Sequence, residues 1–203
     1  MIYVVYMAAG NSRRFGSNKL LYEIDQKPMY RHVLDRLIHI AEHENADGGK
    51  LNIEIITVTQ YDKIKDYCDK KIHCHAVYNA DSYKGASYTI KAGIKEVLSK
   101  NEVSETDYIM FMVADQPFLR EESLMAFIDS INNARSIYGR LPEAFSIRCN
   151  GKSGNPCAFR ASLIPELMEL EGDRGGRKVI KDHDCVYVDI DDAGELADID
   201  VHK

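Results

Sequence analysis

Short apolar runs alternate with stretches of helical spacing along almost the whole chain. Ile2-Tyr3-Val4-Val5-Tyr6 is nearly continuous in apolar character, the pattern of a strand covered on both faces in a parallel sheet. After an extended segment and turn over residues 20–29, Pro28 stands where a helix opens. Val33, Leu34, Leu37, Ile38 and Ala41 then recur at helical spacing until Asp47-Gly48-Gly49. The pattern continues with a strand over Asn52–Val58, a helix over Tyr61–Lys71, a strand at His73–Val77 and a helix carrying Ile90, Ala92, Ile94, Val97 and Leu98. Tyr108–Val113 is apolar throughout. A helix is expected over Arg120–Ala134, a strand over Ala144–Arg148, and a turn over Asn150–Pro156 leading into Cys157-Ala158-Phe159. Helical spacing over Ser162–Leu170, an amphipathic stretch at Lys178–His183, a last strand at Cys185–Val188 and a short helix and tail complete the pattern. This alternation predicts an α/β fold with a doubly wound, mostly parallel, Rossmann-like sheet, one strand of the later part running antiparallel. With 203 residues, 45% of them hydrophobic, a single domain spanning 1–203 is expected.

Charge and cysteine usage narrow the function. A formal net charge of -6 speaks against general nucleic-acid binding, which needs a basic surface. No apolar run approaches the roughly 18 residues of a membrane span, and Met1 leads straight into the first strand, so a cytoplasmic protein without membrane contact is the expectation. The five cysteines are scattered and form no C-x-x-C pair, which argues for buried thiols over a disulfide framework or zinc ribbon. His73 and His75 alternate around Cys74, a spacing that would put both on one strand face, open to either a metal or a structural role.

Chemistry concentrates where strands end. The first run passes into Met7-Ala8-Ala9-Gly10-Asn11-Ser12-Arg13-Arg14-Phe15-Gly16-Ser17-Asn18-Lys19. Ala8, Ala9 and Gly10 let backbone N–H groups approach a phosphate closely, while Arg13, Arg14 and Lys19 supply charge. The loop fits neither the Walker A pattern nor the dinucleotide fingerprint. A second strand-loop-helix junction holds Lys84, Gly85 and Ser87; Lys84 could reach a phosphate, and Ser87 either supports an anion at the helix start or is a plain cap. Ala114-Asp115-Gln116-Pro117 follows the apolar run at 108–113, where open α/β sheets place ligands, so Asp115 is a candidate Mg2+ ligand. Asp189 and Asp191, after the last strand, are candidates to join it.

Taken together these motifs resemble the molybdenum cofactor nucleotidyltransferases, the cytidylyltransferase branch more than the guanylyltransferase branch. The likeness runs through Ala8–Lys19, Lys84–Gly93, Ala114–Pro117, Gly154-Asn155-Pro156, Gly172-Asp173-Arg174-Gly175-Gly176-Arg177 and Asp189-Ile190-Asp191. It implies a fold of the nucleotide-diphospho-sugar transferase type and transfer of CMP from CTP to the terminal phosphate of molybdopterin, releasing pyrophosphate. Mg2+ is the implied metal, with Mn2+ as an alternative, and a molybdenum hydroxylase apoenzyme is a further candidate partner. The resemblance assigns catalysis to Arg14, Lys19 and Asp115. Nucleotide contacts fall to Ala8, Ala9, Gly10, Asn11, Ser12, Arg14, Lys19, Lys84, Gly85, Ser87 and Gln116, with Ala9 and Gln116 pointing to cytosine. Asn155, Asp173 and Arg177 become the acceptor-binding candidates. The chain departs from the family pattern at Ala114, where Gly is usual, at Asn155, where His is usual, and at Asp192-Ala193-Gly194, which replaces Thr-Pro-Glu. A cytidylyltransferase for another phosphorylated acceptor, such as a sugar phosphate or isoprenoid precursor, and a non-catalytic cofactor carrier are the competing readings.

Overall fold

The computed structural model describes residues 1–10, 18–46 and 52–199. Strand β1 (Ile2–Ala8) is followed by a two-stranded ribbon, β2 (Glu23–Ile24) and β3 (Lys27–Pro28), and by helix α1 (Met29–Ala46). Next come β4 (Ile53–Thr59), α2 (Asp62–Cys68), β5 (Cys74–Tyr78), α3 (Ala86–Lys100) and β6 (Tyr108–Val113). The later part holds α4 (Glu121–Asn132), α5 (Ala134–Tyr138), β7 (Ala144–Cys149), β8 (Lys152–Arg160), α6 (Ile164–Met168), α7 (Arg177–Ile180) and β9 (Cys185–Asp189).

Seven strands form one sheet in the order β5-β4-β1-β6-β8-β7-β9. Every neighbouring pair is parallel except the two made by β8, which is antiparallel to β6 and to β7. Strand alternation sorts the core onto the two faces. Ile2, Val4, Tyr6 and Ala8 of β1 pack with Val33, Leu34 and Leu37 of α1 and with Leu124 and Phe127 of α4. Tyr3 and Val5 pack with Ile90, Ile94 and Val97 of α3 and with Leu167 of α6. The apolar runs read from the sequence are therefore strands covered on both sides.

Several boundaries differ from the expected ones, three of them near residues singled out above. The expected helix over Arg120–Ala134 is divided at Asn133: α4 ends at Asn132 and α5 begins at Ala134, with Asn133 between them at a φ of -93° and ψ of 15°, outside helical geometry. The expected turn over Asn150–Pro156 is confined to Asn150-Gly151, both at positive φ, as a two-residue hairpin requires. Gly154, Asn155 and Pro156 are already in β8, at a register shift opposite Ser146 and Ile147. Proline is tolerated in such a bulge, where the ladder needs no N–H from it. His73 lies before β5 at a φ of 60°, exposed, so it shares no strand face with His75, which sits between Glu54 and Glu96. Among the described residues no group of metal-binding side chains forms there. All five cysteines are free thiols, four of them buried. No helix among the described residues is long and apolar enough to cross a membrane.

His183, between α7 and β9, joins the later elements by lying 3.2 Å from Glu143 and 2.9 Å from Glu166. The Glu166 contact, and Glu143 behind it, raises the imidazole pKa above its ordinary 6.5. The charged ring thus contributes its full stability below about pH 6.5 and loses it as pH rises through the raised value. His183→Gln should flatten the decline of the urea midpoint with rising pH across the neutral range; a decline as steep as in the unaltered protein would refute this.

Candidate active site

The chain runs from β1 outward through β4 to β5, then returns to β6 on the other side of β1. The strand order thus changes direction between β1 and β6, and the carboxyl ends of these two strands frame a crevice. The β1 end is fixed from the β4 side. Thr59 Oγ1 donates to the Ala8 carbonyl (2.9 Å), Gln60 Nε2 to Ala9 (2.8 Å) and the Tyr61 hydroxyl to Gly10 (2.7 Å). Each acts on one residue of the small-residue loop. The sequence signal for them, Thr-Gln-Tyr at the end of the neighbouring strand, was missed. Asn11, Ser12, Arg13 and Arg14 lie outside the described residues.

Lys19 opens a short 3-10 turn, Lys19–Leu21, capped by the Asn18 side chain, which accepts from Leu20 N (3.0 Å). The turn buries Lys19 and places its Nζ 2.7 Å from Asp115 Oδ2, immediately beyond β6. Two residues 96 apart in sequence thus meet at the crevice. They line a cleft of about 270 Å3 with Ala9, Gly10, Ser82 and Gly85. Below it, burial and then the Asp115 charge push the Tyr6 phenol far above its usual range, so that it stays neutral while donating to the Tyr30 carbonyl (2.7 Å).

The second junction forms the opposite wall. α3 begins at Ala86 with Gly85 before it, so Ser87 is inside the first turn and does not cap the helix. Its hydroxyl, and that of Ser82 on the cleft wall, are buried and make no hydrogen bond to the described residues. Unpaired buried hydroxyls are costly, which suits a wall that takes a polar ligand. Lys84 is exposed and paired with Asp81 (2.8 Å). Gly85, at a φ of 121°, packs directly on the Gly172 backbone, and Ser87 N donates to the Gly172 carbonyl (3.0 Å). The 172–177 loop is thereby drawn to the cleft, where Asp173 reaches the lining.

The acceptor candidates divide. Asp173 faces the cleft, whereas Asn155 and Arg177 line a second pocket of about 170 Å3 that shares the 172–177 loop. Arg177 Nη2 donates to the Ser153 carbonyl (2.5 Å), and Asn155 Oδ1 accepts from the Cys157 thiol (3.7 Å). Burial pushes that thiol up to about 12, so Cys157 is a neutral packing group and no nucleophile.

Two expectations need correction. Asp189 does not join Asp115. It ends β9, the outermost strand, three places from β6, and forms a two-pronged pair with Arg148 (2.7 and 2.6 Å) that lowers its pKa. Asp191 is exposed just beyond it, past Ile190, whose N–H is held by the Arg148 carbonyl. The chain carries a second Asp-Ile-Asp at 198–200, and its first two residues, Asp198 and Ile199, reach the turn after β6. Ile199 N donates to the Asp115 carbonyl (3.1 Å). Gln116, expected at the nucleobase, is buried and outside the cleft lining; its Nε2 donates to the Leu196 carbonyl (3.1 Å) and to Asp198 Oδ1 (2.8 Å).

The donor set at the crevice suits a hard divalent cation. Asp115 offers a carboxylate at the cleft, and Mg2+ typically takes one or two of these with substrate phosphates and water. Lys19 is the buried cation facing the same space.

Comparison with known proteins agrees with the fold. The purine catabolism protein PucB of Bacillus subtilis is 27% identical over 205 residues, covering 97% of this chain and 90% of its own. A probable molybdenum cofactor guanylyltransferase of Thermococcus sibiricus is 36% identical over 63 residues, 31% of this chain and 28% of its own. The crystal structure of Rv0371c from Mycobacterium tuberculosis shares the fold, with a TM-score of 0.73 at 20% identity over 99% of this chain and 94% of that one. Its complex with manganese gives a TM-score of 0.67 at 19% identity, covering 95% and 89%. The model of the MobA-like NTP transferase domain matches residues 4–186. With the crevice between β1 and β6 and a match over nearly its whole length, the chain belongs to the MobA-like NTP transferase family and is a nucleotidyltransferase.

Proposed function

We propose that this protein transfers CMP from CTP to the terminal phosphate of a molybdopterin-type acceptor, with pyrophosphate leaving. The observation that carries the reading is the meeting of Lys19 and Asp115, 2.7 Å apart, beside the Ala9-Gly10 turn. A phosphate monoester is already anionic near neutral pH and attacks the α-phosphate without a protein nucleophile. The chain's part is alignment and charge neutralisation.

In this reading the triphosphate lies along Ala9 and Gly10, and Lys19 exchanges its carboxylate partner for the α-phosphate as charge builds there. Arg14 takes the departing β- and γ-phosphates. Asp115 would hold Mg2+ or Mn2+, which would supply charge neutralisation for the phosphates. The manganese complex of the Mycobacterium relative supports a divalent cation in this fold. Ser82 and Ser87 offer hydroxyls to the nucleoside, and Asn155 and Arg177, across the 172–177 loop, face the acceptor. A molybdenum hydroxylase apoenzyme is the recipient in this reading.

The engagement of Gln116 by the C-terminal segment removes one of the two residues pointing to cytosine, and the Thermococcus relative is named a guanylyltransferase. GTP is therefore the second reading. Incubation with CTP, GTP or ATP and Mg2+ or Mn2+, with and without molybdopterin, should release pyrophosphate only when acceptor is present, and fastest from CTP. Faster release from GTP would replace the donor. Release with a sugar phosphate but none with molybdopterin would replace the acceptor.

A further inference from the structure

The segment after β9 turns back across the carboxyl ends of the strands, and one buried carboxylate holds it there. Glu195, in the 3-10 turn Ala193–Leu196, is only 2% exposed. A carboxylate so buried is stable only when paired and hydrogen-bonded. Its Oε2 accepts from the Arg120 backbone N–H (2.9 Å), and its Oε1 accepts from Arg120 Nε (2.9 Å) and Nη2 (2.5 Å). Burial alone would raise the Glu195 pKa, yet the bonds from Arg120 and Ser123 bring it below the usual carboxylate range. Arg120 caps α4, so the same charge also faces the positive end of that helix.

This clasp closes on the turn that carries Asp115. One residue past Glu195, the Leu196 carbonyl accepts from Gln116. Two further on, Asp198 accepts from the same amide, and Ile199 N donates to Asp115 itself. From the α1 side, Arg36 Nη1 donates to the Pro117 (2.9 Å) and Leu119 (2.7 Å) carbonyls. Residues 115–120 are gripped between α1 and the returning segment. Neither Glu195 nor Arg120 lines the cleft.

We propose that Glu195 and Arg120 are positioning residues: their clasp holds the 193–199 segment on the Asp115-Gln116 turn and so fixes the Asp115 carboxylate at the cleft for a divalent cation. The inference rests on the metal-dependent nucleotidyl transfer proposed above. Residues that orient metal ligands without touching the metal typically change its affinity by about 10- to 100-fold when replaced.

The test uses the full chain, with Mn2+ binding followed by electron paramagnetic resonance in the presence of α,β-methylene CTP, and the thermal midpoint measured alongside. Glu195→Gln keeps the shape and removes the charge. Arg120→Lys keeps the charge and removes the fork; its side chain is 56% exposed, so it carries the test should Glu195→Gln fail to fold. Both variants should bind Mn2+ about 10-fold or more weakly. Unaltered Mn2+ affinity in a folded variant, even with a lowered thermal midpoint, would make the clasp merely structural and overturn the inference alone. Absence of Mn2+ binding by the unaltered protein would overturn the inference and the functional reading together.

Discussion

Asp115→Ala should lower pyrophosphate release by about 10²–10³-fold or more at saturating nucleotide, the usual loss when one preorganised electrostatic element of a site is removed. The effect is expected in turnover more than in nucleotide binding, because Ala9 and Gly10 remain to receive the triphosphate. The substitution also removes the carboxylate 2.7 Å from the Lys19 ammonium, which sits on a side chain only 10% exposed. With Asp115 itself 27% exposed, the stability cost should stay near about 1–2 kcal/mol, below that of a fully buried pair. Asp115→Asn, which keeps volume and loses charge, separates the two effects. It should fold near normally and remain as slow as Asp115→Ala. Turnover of either variant at the unaltered rate, read by an enzyme-coupled pyrophosphate assay, would remove Asp115 from the chemistry.

Gly85→Ala should be the most damaging small substitution in the cleft wall. Gly85 holds a φ of 121° and ψ of 172°, a region essentially reserved for glycine. A Cβ there would also fall inside the Gly172 carbonyl group and 2.9 Å from Asp173 N. Both obstacles are backbone, which cannot swing aside as a side chain can. Strain and displacement together should cost about 2–4 kcal/mol, seen as a lower urea midpoint. The 172–177 loop should shift, raising the KM for acceptor as well as for nucleotide, since its two sides line the two pockets. A thermal midpoint and both KM values within error of the unaltered protein would contradict this packing.

What could be read from the sequence follows from how local each signal is. Strands covered on both faces announce themselves as apolar runs, and the residues just beyond them, Ala9, Gly10 and Asp115, are placed by the sheet once its winding is known. Lys19 was legible as a cation but not as a buried one; its position depends on the capped 3-10 turn that folds it inward. The C-terminal segment was misread for a different reason. Asp-Ile-Asp occurs at 189–191 and again at 198–200, and nothing local distinguishes them. Only the tertiary path does, leaving Asp189 paired with Arg148 at the sheet edge and drawing Asp198 to Gln116. Gln116 likewise sits where a base contact was expected, but its amide answers to a segment 80 residues later. The bulged start of β8 was hidden because Gly and Pro at 154–156 signal a turn unless the pairing of β7 is known.

The central claim is that a nucleotidyl group, and not a terminal phosphoryl group, leaves the nucleotide bound between β1 and β6. Incubation of the protein with molybdopterin, Mg2+ and CTP labelled on either the α- or the γ-phosphate tests it most directly. The account predicts that the α-label moves to the acceptor and the γ-label leaves in pyrophosphate. Transfer of the γ-label to the acceptor, or no transfer of either label from CTP, GTP or ATP, would contradict it.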